Sequence, residues 1–263
     1  MTFHFDKYQA TGNDFIMIDD RDGRFPAREP DLIRAMCDRH FGIGADGLML
    51  LGREPGYDFR MTYFNADGHE GTMCGNGGRC AILFARSLGM VTHPTIRFMA
   101  IDGDHEGVLA ETVRIRMKDV REIREMEGRF FVDTGSPHLV IPYHDLSQLD
   151  VVTLGRNLRN DAAFLPGGTN VNFIIPGDKD ITIRTYERGV ENETLSCGTG
   201  SVAAVIAIAY QRQLDRGRFL VQAPGGRLHV SFARDPNGSY RDIWLEGPAR
   251  KVFSGTYTIN PST

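Results

Sequence analysis

Residues 186–210 read YERGVENETLSCGTGSVAAVIAIAY, and a related stretch, YFNADGHEGTMCGNGGRCAILFA, occupies residues 63–85. An offset of 123 residues places Cys74 on Cys197 without a gap. The same offset aligns further identical pairs: Thr62 with Thr185, Tyr63 with Tyr186, Glu70 with Glu193, Gly75 with Gly198, and Gly77 with Gly200. In both stretches a cysteine is followed by two glycines two residues apart and then by an apolar, helix-like run. The repetition predicts a duplicated fold that brings two cysteines to one site.

The segment after the second cysteine decides the fold class. It is apolar on every side from Val202 to Ala209, so a helix there has to be enclosed, most simply by a curled sheet. Short β-runs joined by Gly, Pro, Asp and Asn turns surround both repeats. We therefore expect an α+β fold of two pseudo-symmetric halves, each a curved, mostly antiparallel sheet wrapped around a central helix.

The halves are expected at residues 1–123, completed by a C-terminal strand at about 251–263, and at residues 124–250. The charged run 122–127 has no clear pattern and supplies the boundary. Two halves of this length are close to the usual size of a domain.

Composition excludes several classes of protein. The 263 residues are 41% hydrophobic and 24% charged with a net charge of −4, which is ordinary for a globular protein and gives no basic surplus for nucleic acid. The N-terminus lacks an apolar signal region, and the longest apolar run is about half a membrane span. We expect a cytoplasmic protein with no membrane or nucleic-acid partner.

The four cysteines, Cys37, Cys74, Cys80 and Cys197, have spacings that match no zinc site, and no metal is expected. Cys37 lies in the apolar stripe of a predicted helix, and a buried core thiol is the better interpretation for it and for Cys80. A disulfide between two of the four stays open as an alternative.

Both repeated cysteines precede a predicted helix start, which suggests their chemistry. Glycines there leave backbone N–H groups facing outward, and these groups and the helix dipole bind anions such as a carboxylate and favour a thiolate. Two such helix starts could hold one carboxylate, with a thiol on each side of the adjacent carbon. Racemisation or epimerisation needs that arrangement, because a base removes the α-proton from one face and an acid supplies one from the other.

The chain resembles diaminopimelate epimerases, which are cofactor-independent enzymes that interconvert LL- and meso-diaminopimelate. The matching segments occur in order along the chain: FDKYQATGNDFIMID at 5–19, GIGADG at 42–47, MCGNGGR at 73–79, GSPH at 135–138, TNVNF at 169–173, ERG at 187–189 and CGTGS at 197–201. The resemblance implies lysine and peptidoglycan precursor synthesis, no cofactor, a small-molecule substrate and a homodimer.

The resemblance also implies roles for individual residues. Cys74 and Cys197 would be the acid/base pair. The backbone amides of the residues that follow them would hold the reacting carboxylate, namely Gly75, Asn76, Gly198 and Thr199. The other implied substrate-binding residues are Asn13, Asn65, Asn170, Arg188 on the distal carboxylate, and Glu187 and His138 near the amino group.

Three positions depart from the family pattern. Ser136 stands where the family often has asparagine, Gly47 stands where some members carry glutamine, and the run 190–194 is one residue longer than the common form. For Glu70 and Glu193, which match across the repeat, a charge at the helix entry is the plain interpretation.

Three other functions remain open at this point. One is a non-catalytic amino-acid-binding module, which would bind its ligand without solvent exchange at the α-carbon. A proline or hydroxyproline racemase or epimerase would use the same two thiols, but proline has no distal amino-acid end for Arg188 and the asparagines. A cysteine hydrolase would use Cys197 as a covalent nucleophile and would not need Cys74.

Overall fold

The computed structural model describes residues 1–259, which form two compact units. The first unit comprises Met1–Ile115 and the segment that begins at Pro248, and the second comprises Arg116–Gly247. Residues 260–263, which the predicted C-terminal strand included, lie outside the described part of the chain.

The first unit is built mainly of strands, with two helices between them. Its elements in Met1–Ile115 are β1 (Thr2–Ala10), β2 (Asn13–Asp19), α1 (Pro30–Cys37), β3 (Gly47–Gly52), β4 (Phe59–Asn65), β5 (Glu70–Gly71), α2 (Gly75–Ser87), β6 (Thr95–Ala100), β7 (Gly103–Leu109) and β8 (Val113–Arg116).

The second unit has a similar sequence of elements, with three strands instead of two before its first helix. They are β9 (Ile123–Met126), β10 (Arg129–Asp133), β11 (Pro137–Pro142), α3 (Val151–Arg159), β12 (Asn170–Pro176), β13 (Asp180–Glu187), β14 (Asn192–Thr194), α4 (Gly198–Gln211), β15 (Arg216–Ala223), β16 (Gly226–Arg234) and β17 (Tyr240–Gly247), with a 3₁₀ turn at Ala162–Phe164. A last strand, β18 (Arg250–Thr258), returns to the first unit and pairs antiparallel with β1.

Strand order repeats between the units. The first is ordered β18-β1-β2-β3-β4-β6-β7-β8, with parallel pairs at β2–β3 and β4–β6. The second is ordered β9-β10-β11-β12-β13-β15-β16-β17, with parallel pairs at β11–β12 and β13–β15. The other pairs in these two series are antiparallel, so the duplication read from the cysteine loops extends through the sheet of each unit.

Each unit encloses one helix. Residues 202–209 of α4 are all fully buried, and the helix contacts strands β10–β13 and β15–β17. In the other unit, α2 contacts β1, β2, β3 and β7 and buries ten residues. Burial of a Val or Ile side chain contributes about 1.5–3 kcal/mol, so the apolar run of α4 is a large part of the core of its unit. The predicted α+β class, with a mostly antiparallel sheet around a central helix in each half, is confirmed.

The charged run at 122–127, which has no clear pattern in the sequence, contains a strand, because Ile123–Met126 pairs with β10. Glu127 and Gly128, with φ of 52° and 75°, form the two-residue turn between them. Two successive positive φ angles are the hairpin geometry that matches the twist of the strands, and this turn overrides the weak pattern.

Candidate active site

Both repeated cysteines are the N-cap residues of the enclosed helices. Cys74 caps α2 with φ −97° and ψ 131°, and Cys197 caps α4 with φ −117° and ψ 114°. The carbonyl oxygens of these residues accept the first helical hydrogen bonds, from the Gly78 and Ser201 amides at 2.8 and 2.9 Å. The first amides of a helix have no partner within it, so the residues after each cysteine can donate to an anion. The predicted position of both cysteines at helix starts is confirmed.

In the first unit, the structure brings Cys74, Asn13 and Asn76 together. Asn13 Oδ1 lies 3.7 Å from Cys74 Sγ and 3.3 Å from Asn76 Nδ2. The other end of the Asn13 amide donates to Asp46 Oδ2 at 2.6 Å. Asp46, in the loop before β3, was not among the predicted site residues.

Beneath these groups lies a buried arginine that sequence reasoning missed. Arg79 is fully buried in α2 and donates to Gly75 O at 3.2 Å, Asn76 Oδ1 at 2.9 Å and Thr11 Oγ1 at 3.5 Å. Burial lowers the pKa of its guanidinium to about 10, so it stays charged at neutral pH. An arginine three residues after Asn76, within a helical run otherwise rich in Gly and Ala, was the available signal.

Asn65 and Gly47 are opposite each other in the β3–β4 register. Asn65 is exposed, and its backbone amide bonds to His69 O at 2.9 Å. A Cβ at Gly47 would lie 2.5 Å from both Phe64 O and Tyr63 Cε2, so the ring of Tyr63 takes the space that a longer side chain would need. The glycine is therefore a packing requirement of this chain.

In the second unit, two hydrogen-bonding groups lie close to the sulfur of Cys197. Its side chain accepts from the Gly200 amide at 3.4 Å, and Thr199 Oγ1 lies 3.4 Å from Sγ. The residue is only 9% exposed. Thr199 thus contributes its hydroxyl group in addition to the predicted backbone amide.

His138, fully buried on β11, is held by Asn172, which sequence reasoning also missed. Asn172 Nδ2 donates to Leu139 O at 3.2 Å, and because a carbonyl oxygen can only accept, this contact fixes Nδ2 toward His138 Nδ1 at 3.1 Å. Asn172 Oδ1 accepts from Thr185 Oγ1 at 3.0 Å. His138 Nδ1 is therefore the acceptor, and the proton is assigned to Nε2, which has no hydrogen-bond partner among the described residues. Two asparagines two residues apart in a buried strand, Asn170 and Asn172, share one face and were the available signal.

The ionisation of His138 is set by its surroundings. Burial, together with the nearby Arg188 charge, lowers its pKa to about 3 against the opposing hydrogen bond from Asn172. The imidazole is neutral at physiological pH, so its Nε2–H can donate a hydrogen bond without adding a charge.

Asn170 ties the 135–138 turn to Arg188. Its Nδ2 donates to Ser136 Oγ at 3.0 Å and Pro137 O at 2.9 Å, and its Oδ1 accepts from the Arg188 amide at 2.9 Å. Ser136, one of the departures from the family pattern, thus holds Asn170 in place. The Arg188 side chain is half-buried and donates to Gly167 O at 3.3 Å.

The longer run at 190–194 forms a turn and a short strand. Glu191 has a positive φ of 57°, and Gly68, its counterpart at the 123-residue offset, has a φ of 90°. The turn therefore keeps the same left-handed position in both units. Glu187 Oε2 accepts from Thr194 Oγ1 at 2.8 Å, which fixes its carboxylate. Helix-entry charge was the wrong interpretation of Glu193, which lies on β14 and forms a two-pronged ion pair with Arg184 at 2.7 Å.

Within residues 1–259, no group of three or more His, Cys, Asp or Glu side chains could hold a metal ion. The same part of the chain contains no helix long and apolar enough to span a membrane.

A sequence model described as "Diaminopimelate epimerase" matches the chain twice, over residues 5–128 and 130–252. This chain belongs to the diaminopimelate epimerase family. The predicted family is thus confirmed, and the double match reproduces the internal repeat.

Full-length relatives agree with the diaminopimelate epimerase assignment. The chain is 45% identical over 253 residues to the diaminopimelate epimerase of Flavobacterium psychrophilum, with 95% of this chain and 98% of the relative covered. It is 46% identical over 260 residues to that of Chlorobaculum tepidum, with 95% and 99% covered.

Solved structures of other proteins share the fold of this diaminopimelate epimerase family member. A phenazine biosynthesis protein of the PhzF family from Bacillus anthracis superposes with a TM-score of 0.80 at 16% identity, covering 98% of this chain and all of the other. A probable proline racemase from Agrobacterium radiobacter superposes with a TM-score of 0.73 at 15% identity, covering 98% and 94%. At such low identity these likenesses establish the fold alone.

Proposed function

We propose that this member of the diaminopimelate epimerase family interconverts LL- and meso-diaminopimelate at the α-carbon, in lysine and peptidoglycan precursor biosynthesis, and uses its two capping cysteines in place of a cofactor. The observation that carries the proposal is the N-cap position of both Cys74 and Cys197 in a chain that matches the family over both repeats.

Each cysteine would take one half of the proton transfer. One thiolate removes the α-proton as a base while the other thiol protonates the opposite face of the carbon as an acid. Helix N-termini suit this chemistry because the unpaired amides and the dipole favour a thiolate. After each turnover, the acid and base roles of the two sulfurs have exchanged.

The helix starts would also stabilise the charge that forms on the reacting carboxylate. In this proposal the reacting carboxylate accepts hydrogen bonds from the backbone amides of Gly75, Asn76, Gly198 and Thr199. These hydrogen bonds strengthen as the negative charge on the carboxylate grows in the transition state. Arg188 would bind the distal carboxylate in a two-pronged contact. Asn13, Asn65, Asn170, Glu187 and His138 would hold the remaining polar groups of the substrate.

The test is α-hydrogen exchange in D₂O. We expect LL-diaminopimelate to gain deuterium at the α-carbon and to yield the meso isomer, and Cys74→Ala and Cys197→Ala each to abolish turnover. Cys37→Ala is the matched control, because Cys37 is buried in a separate apolar cluster of the first unit. Turnover by either active-site variant at the wild-type rate would exclude the two-base mechanism.

Two further measurements distinguish the rival functions. Deuterium incorporation into L-proline alone would assign the chain to the proline or hydroxyproline racemases. A covalent acyl-enzyme at Cys197, detected by intact-protein mass, together with full activity of Cys74→Ala, would indicate a cysteine hydrolase.

We further propose that the two compact units are separate domains and that the protein is a cytoplasmic homodimer, as the family resemblance implies. The exposed apolar side chains of β18, with Val252 56% and Phe253 46% exposed, are a reasonable place to test for a subunit contact. Sedimentation equilibrium should give twice the chain mass, and a single-chain mass at micromolar concentration would contradict the dimer.

A further inference from the structure

Arg79 is a fully buried cation whose hydrogen bonds all go to neutral groups. Its guanidinium donates to the carbonyl oxygen of Gly75, the side-chain oxygen of Asn76 and the hydroxyl of Thr11. Its Nε atom has no hydrogen-bond partner within residues 1–259. A buried charge without a counter-ion is costly. The missing counter-ion therefore points to an anionic ligand.

The carboxylates in the loops around Cys74 have other partners. Asp102 lies 3.0 Å from His105 Nε2, and Asp46 accepts from the Arg39 guanidinium at 2.7 Å. Neither carboxylate contributes to the pKa of the Arg79 guanidinium, which burial lowers. These two acids therefore do not balance its charge.

The hydrogen bond from Arg79 to Gly75 acts on the peptide group that carries the Asn76 amide. Gly75 is the first residue of α2, and its carbonyl oxygen accepts from Arg79 Nη1 at 3.2 Å. The C=O and N–H of a trans peptide point in opposite directions, so the N–H of Asn76 points away from the guanidinium. A charged donor on the carbonyl side polarises the peptide group and makes this N–H a stronger donor.

The hydrogen bond from Arg79 to the Asn76 side chain has the same direction. Arginine has donors only, so the atom that it contacts at 2.9 Å is the amide oxygen, and the NH₂ end of the Asn76 side chain faces the other way. That NH₂ end lies 3.3 Å from Asn13 Oδ1. The backbone and the side chain of Asn76 therefore both turn their positive ends away from the buried charge.

The corresponding position at the second helix start carries no charge. At the 123-residue offset, Arg79 aligns with Val202, and Asn76 aligns with Thr199. Val202 is fully buried. An apolar side chain thus serves at the matching position of α4, so enclosure of the helix does not by itself require an arginine. The buried charge distinguishes the Cys74 helix start from the Cys197 helix start.

We propose that Arg79 is a positioning residue for the reacting carboxylate: its charge acts through the Gly75 carbonyl and through Asn76 on the donors at the start of α2, and the bound carboxylate supplies the missing counter-ion. The proposal rests on the proposed function, because it concerns the carboxylate beside the reacting carbon. As the α-proton leaves, negative charge grows on this carboxylate, and a fixed positive charge behind its donors stabilises the transition state.

The charge of Arg79 also acts on the sulfur of Cys74, and binding has to be measured without that effect. In Cys74→Ala no thiolate forms at this position. Burial raises the pKa of the Cys80 thiol, so Cys80 stays neutral. Since Cys74→Ala should not turn over, the LL isomer stays intact during a titration. Its affinity for this variant therefore reports on the carboxylate and its donors.

The test is a titration of Cys74→Ala with LL-diaminopimelate, followed by calorimetry and by the backbone amide resonances of Gly75 and Asn76. We expect Arg79→Met, added to Cys74→Ala, to raise Kd at least about tenfold, which corresponds to one charge-assisted hydrogen bond. An unchanged Kd would overturn the proposal.

Arg86→Met, also in the Cys74→Ala protein, is the matched control. Arg86 is an exposed arginine in the last turn of the same helix, so this variant removes the same charge far along α2 from the helix start. Water and salt screen an exposed charge, and Kd should change by less than about twofold. An equal loss of affinity in both variants would show a general effect of net charge and would overturn the proposal.

A second substitution separates charge from packing. Methionine replaces the apolar stem of the arginine, whereas lysine keeps the positive charge and loses the planar fork. If the charge acts on the carboxylate, Arg79→Lys should bind LL-diaminopimelate more tightly than Arg79→Met, and with Cys74 restored it should keep the higher kcat. If the arginine only fills space, Arg79→Met should be the better enzyme, and that order would contradict the proposal.

A measurement with Arg79 in place covers the case in which circular dichroism shows that its variants do not fold. In Cys74→Ala, the guanidinium resonances of Arg79 should shift with the same Kd as the amide resonances of Gly75 and Asn76. Amide shifts with no change at the guanidinium would show that the charge is not coupled to the ligand.

The two proposals fail separately. If the wild-type protein exchanges no α-hydrogen of diaminopimelate, the function is wrong, and the same titrations with sodium acetate still test Arg79. If exchange is normal but Arg79→Met binds as tightly as Arg86→Met, the function stands and the role of Arg79 is wrong.

Discussion

A methyl group added at Gly200 tests how tightly the Cys197 loop is packed against its supporting strand. A Cβ at this third residue of α4 would lie 2.4 Å from Asn172 Oδ1 and 3.3 Å from Cys197 Sγ. Asn172 is fully buried and held by Thr185, His138 and Leu139, so it cannot swing away as a flexible chain end would.

The magnitude follows from these contacts. Ordinary contact begins at 3.4 Å, so Asn172 Oδ1 or the helix start has to move by about 1 Å. Such overpacking costs about 1–3 kcal/mol, and each buried hydrogen bond it breaks costs about 1–3 kcal/mol more. The higher helix propensity of alanine offsets about 1 kcal/mol of this loss. We expect Gly200→Ala to lower the free energy of unfolding by about 2–4 kcal/mol.

The assay is urea unfolding followed by circular dichroism, with the initial rate of α-hydrogen exchange measured on the folded variant. Gly77→Ala is the matched control at the equivalent helix position of the other unit, where the added Cβ would meet the flexible end of Met49. We expect the free energy of unfolding to fall by at least about 1 kcal/mol less in Gly77→Ala than in Gly200→Ala. A Gly200→Ala protein as stable and active as the wild type would refute the packing argument.

Three other outcomes are expected. Since burial lowers the pKa of His138 to about 3 while the unfolded value is about 6.5, the unfolded state binds more protons between these values, and stability should fall by about 2 kcal/mol from pH 8 to pH 5. His138→Gln should reduce this dependence of the free energy of unfolding on pH, measured by urea titration. An unchanged dependence would show that other groups cause it. Burial raises the pKa of Cys37 to about 12 and also that of Cys80, so neither should react with iodoacetamide at pH 8 until urea unfolds the protein; labelling of the native state would contradict this. Glu193→Gln should cost about 0.5–1 kcal/mol at low salt, because its ion pair with Arg184 is only about a quarter exposed, and the loss should shrink in 1 M NaCl; a salt-independent loss would exclude an ionic origin.

The parts of the fold that could be read from the sequence are those with a local signal. The 123-residue offset identified the duplication because both cysteine loops keep the same glycines, and an all-apolar run such as 202–209 can only be a buried element. The hairpin at Glu127-Gly128 was missed because its first strand is mostly exposed, so its residues do not show the alternation of apolar and polar side chains that marks a half-buried strand.

The candidate site, like the fold, could be predicted only where the sequence carries a local signal. Cysteines before glycines indicated helix N-caps, and the resemblance carried the remaining roles. Arg79 and Asn172 act from beneath the surface through hydrogen bonds to residues distant in sequence, so their importance follows from burial that only the folded chain defines. Asp46 is exposed, and it was missed because its contact with Asn13 joins residues 33 positions apart.

The pairing of β1 with β18 has a consequence for how the polypeptide is made. A ribosome releases Thr2–Ala10 long before Arg250–Thr258, yet these strands lie side by side from the pair Thr2–Thr258 to the pair Gln9–Arg250. Throughout synthesis, one edge of β1 exposes backbone groups that its natural neighbour is not yet there to cover. The whole segment Arg116–Gly247, which forms the second unit, emerges before β18 does. The first unit can therefore complete its sheet only after the second unit has been synthesised.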